Sequence, residues 1–288
     1  MEPFIHLHVH TQYSLLDGQA SIDALIDKAH KDGMRAIAVT DHGVMFGIKE
    51  FFNKVNKKNG KYKDTIKKAQ KELDKINSQA EPLTEEDNQK KAELEKQIQE
   101  AEASIFKPII GCECYCARHG RHSKLATQDD RSGWHLIVLA KNLNGYKNLI
   151  KMVSLSWTEG FYGRPRIDKE LLEQYHEDLI VCSACLGGEI PQLIMKGQLK
   201  QAEESVLWFK NLFGDDYYLE MQRHETHDPN ADCTIFPHQQ EVNKVLVELA
   251  HKHQIKLIAT NDVHFVNEED AEAHDRLICL STGKDLDD

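Results

Sequence analysis

The sequence has no long apolar run. Hydrophobic types make up 40% of its 288 residues and the mean hydropathy is −0.56, so no membrane-spanning helix is expected. It has no excess of positive charge. Lys plus Arg is 36 against 47 for Asp plus Glu, a formal net charge of −11. A broad basic face that grips nucleic acid along its backbone is therefore not expected, which leaves open a nucleic-acid substrate held through metal ions. The opening Met1-Glu2-Pro3-Phe4 has neither a basic nor an apolar segment, so it does not read as a signal peptide. Cysteine is sparse and odd in number, 7 residues. That argues for free thiols or ligands in a reducing cytoplasm rather than disulfides. No internal repeat is visible. The residue in excess is histidine, with 16.

Short apolar runs alternate with amphipathic ones. Strands are expected at Phe4–Val9, Arg35–Thr40, Pro108–Cys116, Trp134–Ala140, Asp178–Ala184, Asp216–Gln222 and Ile255–Thr260. Helices are expected at Ile22–Lys31, capped by Ser21 and stopped at Gly33, and near Phe46–Asn53, Asn144–Ser156, Glu189–Met195, Leu199–Phe213 and His238–His253. Strands separated by helices point to parallel β/α units. Near-continuous apolar strands such as Leu136-Ile137-Val138-Leu139 suit a sheet buried on both faces. The expected fold is α/β, a distorted seven-stranded (β/α)7 TIM-like barrel over residues 1–280. An open doubly wound sheet is the alternative.

Residues 54–107 depart from this pattern. Of these 54 residues, 13 are basic and 11 acidic. Ile66, Leu73 and Ile76 share one helical face, and Leu94, Ile98 and Ile105 another. Between the halves, Thr84 followed by Asp87 resembles a capping box. The reading is a charged helical hairpin inserted in the barrel, a solvated arm rather than a DNA grip. Residues 281–288 are polar and read as a linker toward further domains of a longer protein.

The histidines fall in a pattern. In an extended segment residues two apart share a face, so His8 and His10 can meet one metal ion. Asp41-His42 follows the second expected strand, Glu113 lies in the third and His135 in the fourth. Cys185 follows the fifth, Asp262 and His264 follow the last, and Asp17 lies in the first loop. Most of these sit at the C-terminal ends of strands, where parallel β/α folds place their active sites. Nine ligands exceed what one ion takes. They suit two or three divalent ions, with Glu113 as the bridging carboxylate. A mixture of imidazole, carboxylate and thiolate favours Zn, Mn or Fe over Mg. Clustered ions activate water as a nucleophile and clamp the oxygens of a phosphoryl displacement.

Five of these stretches carry a resemblance. His8-Val9-His10-Thr11, Thr40-Asp41-His42-Gly43, Gly111-Cys112-Glu113, Ser183-Ala184-Cys185 and Asn261-Asp262-Val263-His264 resemble the signature motifs of the PHP (polymerase and histidinol phosphatase) family. Longer stretches, His6 to Gly18, Gly160 to Arg166, Leu219 to His224 and Thr260 to Phe265, resemble the branch found at the start of bacterial replicative DNA polymerase III alpha subunits. The resemblance implies a seven-stranded β/α barrel with a trinuclear metal centre that cleaves phosphoesters. All nine family ligand positions are filled by His8, His10, Asp17, His42, Glu113, His135, Cys185, Asp262 and His264. It further implies a metal-dependent phosphodiesterase module of a DNA polymerase that gives 3′-5′ exonuclease proofreading. Its partners would be the primer 3′ terminus, the remaining polymerase domains, a sliding clamp and a proofreading exonuclease subunit. Two other readings remain, a metal-braced non-catalytic scaffold and a free-standing phosphatase of the histidinol-phosphate type.

Other residues invite weaker readings. Arg223 and His224 follow the sixth strand and are candidates to touch the substrate. Arg164 and Arg166 are candidate phosphate contacts. His119 and His122 sit in a loop with Arg118, Arg121 and Lys124 and read as solvated. Cys112, Cys114 and Cys116 read as the outward strand face, and His6 as a hydrogen-bond support for the ligands. Trp157, Phe161 and Tyr162 read as packing residues, with base stacking as the alternative.

Overall fold

The computed structural model describes residues 4–79, 82–226 and 233–286. Ser21 caps α1 (Ile22–Lys31) by accepting from the Ala24 N–H, and the chain leaves the helix through Gly33 at φ +78°. The buried stripe of α1 (Ile22, Leu25, Ile26 and Ala29) packs with Ile37 and Val39 of β1 (Ala36–Val39) and with Ile48, Phe51 and Val55 of α2 (Ile48–Lys58). That helix runs through Lys54, the expected start of the arm. The arm is then α3 (Gly60–Asn77) and α4 (Glu85–Ala103). Thr84 and Asp87 form the capping box at the start of α4. Ala69, Leu73, Ile76 and Leu94 make a small core of their own, joined by Leu83 and Ile98. At the base of the arm the Asn59 side chain donates to the Phe106 carbonyl at 2.7 Å and accepts from the Phe106 N–H at 3.0 Å.

The chain continues through β2 (Lys107–Cys116), α5 (Gln128–Ser132), β3 (Trp134–Ala140), α6 (Leu143–Thr158), β4 (Arg166–Ile167), α7 (Lys169–Tyr175), β5 (Leu179–Cys182), α8 (Glu189–Met195) and α9 (Leu199–Phe213). It ends with β6 (Tyr217–Met221), α10 (Ile235–His253), β7 (Lys256–Ala259) and α11 (Ala271–Thr282). The strands form one seven-stranded curled sheet in the order β1-β2-β3-β5-β6-β7, with β4 on β2. Helices α6, α8, α9 and α10 cover its outer face over a core that includes Cys112, Cys114, Cys116, Leu136 and Val138, so the three alternating cysteines are buried strand residues.

Three expectations are corrected. First, Phe4–Val9 is not a strand, because the Val9 N–H donates to the Thr40 hydroxyl at 2.8 Å, which interrupts the ladder. The segment still spans the gap between the sheet edges. It pairs with β1 through Ala38 N–H to His6 O and Thr40 N–H to Val9 O. On its other side His10 N–H reaches Val263 O, and Val263 N–H reaches His8 O. Second, the strands are not all parallel. β3 runs antiparallel to both β2 and β5, because the β2–β3 connection carries only the short α5 and turns directly back. Third, β4 replaces the lost strand in the count. β1 covers β2 only as far as Ile110, and β4 pairs with Tyr115 and Cys116 at the other end of the strand. Residues 1–3 and 287–288, which fall in the expected barrel start and linker, lie outside the described residues.

Candidate metal centre

All nine expected ligands meet at one end of the barrel. β1, β5 and β7 deliver His42, Cys185, Asp262 and His264 just beyond their C-termini, and β2 carries Glu113 on its inner face. His135 is the second residue of its strand. It reaches the same end only because β3 is antiparallel, so its start lies beside the ends of its neighbours. Three sets of donor atoms lie within 4.8 Å of one another: His10, His42 and His264; His8, His10 and Asp262; Glu113, His135 and Cys185. Asp17 joins them through His42 at 2.5 Å and His264 at 3.2 Å.

The outer hydrogen bonds decide which imidazole nitrogen faces inward. His8 Nδ1 donates to Glu220 Oε1 at 2.8 Å, and Thr260 and Gln222 also donate to that oxygen. His10 Nδ1 donates to the Ser14 hydroxyl at 2.9 Å, which donates on to Asp41 at 2.8 Å. His264 Nδ1 donates to the Asp262 carbonyl at 2.8 Å. In each case Nε2 is left with its lone pair turned into the cluster, the arrangement a metal ligand needs. His8 Nε2 and His10 Nε2 face each other at 3.2 Å, and both face Asp262 Oδ1, at 3.0 and 3.2 Å.

The inner atoms are not satisfied by hydrogen bonds. Glu113 Oε2, Asp262 Oδ1 and His42 Nδ1 are buried and have no hydrogen-bond partner. Glu113 is fully buried, with His8 at 3.3 Å, His10 at 3.5 Å and His135 at 2.8 Å, and it contacts His42 as well. Burial alone raises a carboxyl pKa, yet His135 and His42 hold Glu113 well below the usual range. Burial likewise works against charge on His42, but Glu113 and Asp17 push it up to about 10. Burial, with repulsion from His42 and His264, drops His10 to about 3 despite Asp262 and Glu113 beside it. The carboxylates thus demand positive charge at the centre. Protonated imidazoles supply it only by giving up the lone pairs that face inward. Divalent cations supply it and keep those lone pairs, so the donor set fits a metal group. Five imidazoles, three carboxylates and one thiol could hold more than one divalent ion.

The backbone is strained at the same place. Leu16, Ala184 and Asp262 have φ of 62°, 63° and 49°, left-handed values that cost of order 1 kcal/mol or more for a side-chain-bearing residue. Each is a candidate ligand or its neighbour.

Several expected residues lie elsewhere. Arg223 is exposed, pairs with Glu225 at 2.8 Å and lies over the Phe236 ring. His224 bonds the Asn261 carbonyl at 2.9 Å and Gln239, so it supports the loop that carries Asp262. Neither is brought among the nine. His6 does not support the ligands, since its Nδ1 is buried without a partner. Arg166 is fully buried and bonds the carbonyls of Gly160, Arg121, Ser123 and Asp130. Arg121 is buried against Asp168, Glu159 and Glu170. Neither arginine is free for phosphate.

The sequence reading missed Glu220, Ser14 and Asp41 as supports, although all three stand inside the quoted motifs. It also missed His274 of α11, whose Nε2 lies 3.8 Å from Asp17 Oδ1 and whose ring lies 5.4 Å from that of His264. No local signal marks it, since it arrives from a helix face.

Comparison with known proteins agrees with this geometry. A family model described as PHP domain matches residues 6–224. A protein named DNA polymerase III subunit alpha from Borreliella burgdorferi is 41% identical over 280 residues, covering 97% of this chain and 20% of its own length. Proteins of the same name from Aquifex aeolicus and Treponema pallidum are 37% and 36% identical, covering 98% and 99% of this chain and 20% of their own. The chain therefore spans about one fifth of the curated relatives it matches.

Proposed function

The chain belongs to the PHP domain family, and from that premise we propose that it is a multinuclear metal-dependent phosphoesterase domain of a replicative DNA polymerase alpha subunit, with 3′-5′ exonuclease proofreading as its activity. The observation that carries this reading is the convergence of buried atoms on Glu113, Asp262 and His42 that meet only one another and the imidazoles, with His8 and His10 turned toward them by Glu220 and Ser14. We assign His8, His10, Asp17, His42, Glu113, His135, Cys185, Asp262 and His264 as the ligands of two or three Zn, Mn or Fe ions. When bound, such ions acidify a water and neutralise the charge that develops on a phosphoryl group.

The chain's own residues then do three things. Glu113 spans the cluster from His8 to His135 and holds neighbouring ligands together. The Glu220 and Ser14–Asp41 bonds keep His8 and His10 in one tautomer. His42, His135, Asp17 and His264 form the partly exposed side, through which a phosphodiester would enter. Neither Arg223 nor His224 is needed for these steps. The expected partners are a primer 3′ end and the rest of the polymerase chain, with a sliding clamp and a separate exonuclease subunit beside them. The buried thiols of Cys112, Cys114, Cys116 and Cys182 suit a reducing cytoplasm, and no helix among the described residues is long and apolar enough to cross a membrane.

Elemental mass spectrometry of the purified chain, followed by release of nucleotides from a 3′-labelled primer, tests the reading. About two to three metal equivalents and release abolished by His10→Ala are expected. Bound metal without release, also when the chain is joined to its polymerase, would overturn the activity and favour a metal-braced scaffold. Absence of metal after reconstitution would overturn the site.

A further inference from the structure

Beside the open side of the cluster stands a turn for which the metal site has no use. Tyr162 N–H donates to the Arg164 carbonyl at 3.0 Å, and Gly163 at φ +75° closes the turn. Buried Arg166 holds it from below by donating to the Gly160 carbonyl at 3.0 Å. The turn presses on the residue after His42. A Cβ on Gly43 would lie 2.6 Å from Pro165 Cγ, so the proline ring packs directly on the Gly43 backbone. Trp157 Nε1 donates to the Gly43 carbonyl at 2.9 Å from the other side.

This rigid frame exposes groups that folding would ordinarily bury. The Trp157 and Phe161 rings stack at 5.4 Å and 18°, yet are 43% and 48% exposed. Arg164 is exposed and pairs with no carboxylate among the described residues. Its guanidinium lies 5.4 Å from the centroid of Tyr115, whose ring in turn lies 5.9 Å from His42 and 5.3 Å from His135. A flat apolar surface, an unpaired guanidinium and a phosphoester-type metal cluster thus adjoin one another. In a chain of net charge −11, an uncompensated arginine beside such a site answers to a local anion.

We infer that Trp157, Phe161 and Arg164 form the subsite for the unpaired end of a single-stranded nucleic acid, the aromatic pair stacking the base and Arg164 holding a phosphate next to the one at the metals. The inference rests on the phosphoesterase reading and supplies what that reading lacks, a reason for the substrate to be a polynucleotide rather than a small phosphomonoester. Stacking on an aromatic face is tolerant of base identity, and a paired end cannot reach the platform without melting. Arg164 contributes a planar, bidentate hold on phosphate.

The test is fluorescence anisotropy of a 5′-labelled oligothymidine with phosphorothioate links at its 3′ end, against a blunt duplex of equal length. The protein is the metal-reconstituted chain. The single strand is expected to bind more tightly than the duplex. Phe161→Ala should weaken it at least about fivefold. Arg164→Ala should weaken it and flatten its salt dependence, with Arg164→Lys restoring part of that dependence. Metal content measured on the same samples should be unchanged in all three variants. Single-strand affinity unaltered by the Phe161 and Arg164 changes, or equal affinity for the blunt duplex, would overturn the inference. A parent chain that carries metal and binds no single strand would overturn the subsite and leave the metal site standing. A parent that binds the strand through these residues but carries no metal would overturn the phosphoesterase reading alone.

Discussion

Two buried charge clusters lie within this barrel, and they are built on opposite terms. Around Arg166 and Arg121 no buried donor is left without an acceptor. Arg166 meets four carbonyls and the Asp130 carboxylate, and Arg121 meets Asp168, Glu159 and Glu170. None of their atoms is among the buried unpartnered ones. Around Glu113 the reverse holds, with carboxylate and imidazole atoms turned inward onto one another and no permanent cation among them. The chemistry of the cations explains the difference. A guanidinium cannot shed its proton, so a buried one must be satisfied permanently by the fold. An imidazole can shed its proton, so a histidine cluster tolerates being left incomplete and takes a metal in place of protons. The closed cluster braces the structure, and the open one is available for chemistry.

The sharpest way to break this comparison is to remove one member of each. Arg166→Met should cost about 3–5 kcal/mol in urea denaturation, because four carbonyls and a carboxylate lose a permanent partner. Glu113→Gln should abolish most metal binding in elemental analysis, while the metal-free protein loses much less stability than with the arginine change. Its imidazoles simply deprotonate when their carboxylate is gone. Equal stability losses from the two changes would erase the distinction.

Acidity should separate the clusters in a second way. Metal ligation needs neutral imidazoles, and His42, pushed up to about 10, is an early one to take a proton, so metal affinity should fall steadily as pH falls below that value. Asp130 is pulled below its ordinary value of 3.8: burial works upward, but the Leu125 N–H, His119, Ser123 and Arg166 outweigh it. A depressed carboxyl contributes stability above 3.8 and loses it only as pH falls through its lower folded value. Between pH 6 and 4 the chain should therefore release metal on dialysis while its near-ultraviolet circular dichroism persists. Loss of both together would tie the fold to the metals.

Smaller effects test the supports. Glu220→Gln should lower metal affinity by about 10- to 100-fold in chelator competition, because the bond to His8 loses its charge and fixes the tautomer less firmly. His274→Ala should do less, a few-fold at most, since it reaches the site only through Asp17 at 3.8 Å. A loss as large as that from Glu220 would make His274 a ligand rather than a brace.

Much of this was legible in the sequence, for physical reasons. The arm could be read because its apolar residues repeat at helical spacing and its capping box is local. Leu73, Ile76, Leu94 and Ile98 meet as expected, while Ile66 and Ile105 stay outside that core. Eight of the nine proposed ligands lie in short motifs on or beside strands or in the first loop, where position along the chain predicts position in space. His135 was also named, but the route by which it reaches the site was not, since nothing local states that β3 runs backwards. Arg166 looked like a phosphate contact because sequence shows charge and not burial. Trp157 and Phe161 looked like packing residues because aromatic rings usually are, and only the turn anchored by Arg166 leaves them in water.

The sequence alone therefore determined residue types, periodicity and local caps: an α/β chain, a helical arm and a histidine-rich set of candidate ligands. The tertiary structure decided strand direction, the closure of the sheet edges by residues 6–10, the inward nitrogen of each histidine and the separation of a satisfied arginine cluster from an unsatisfied histidine one. These depend on contacts between residues far apart in the chain, such as Asp17 and His264, 247 positions apart, and no pattern of neighbours along the chain encodes them.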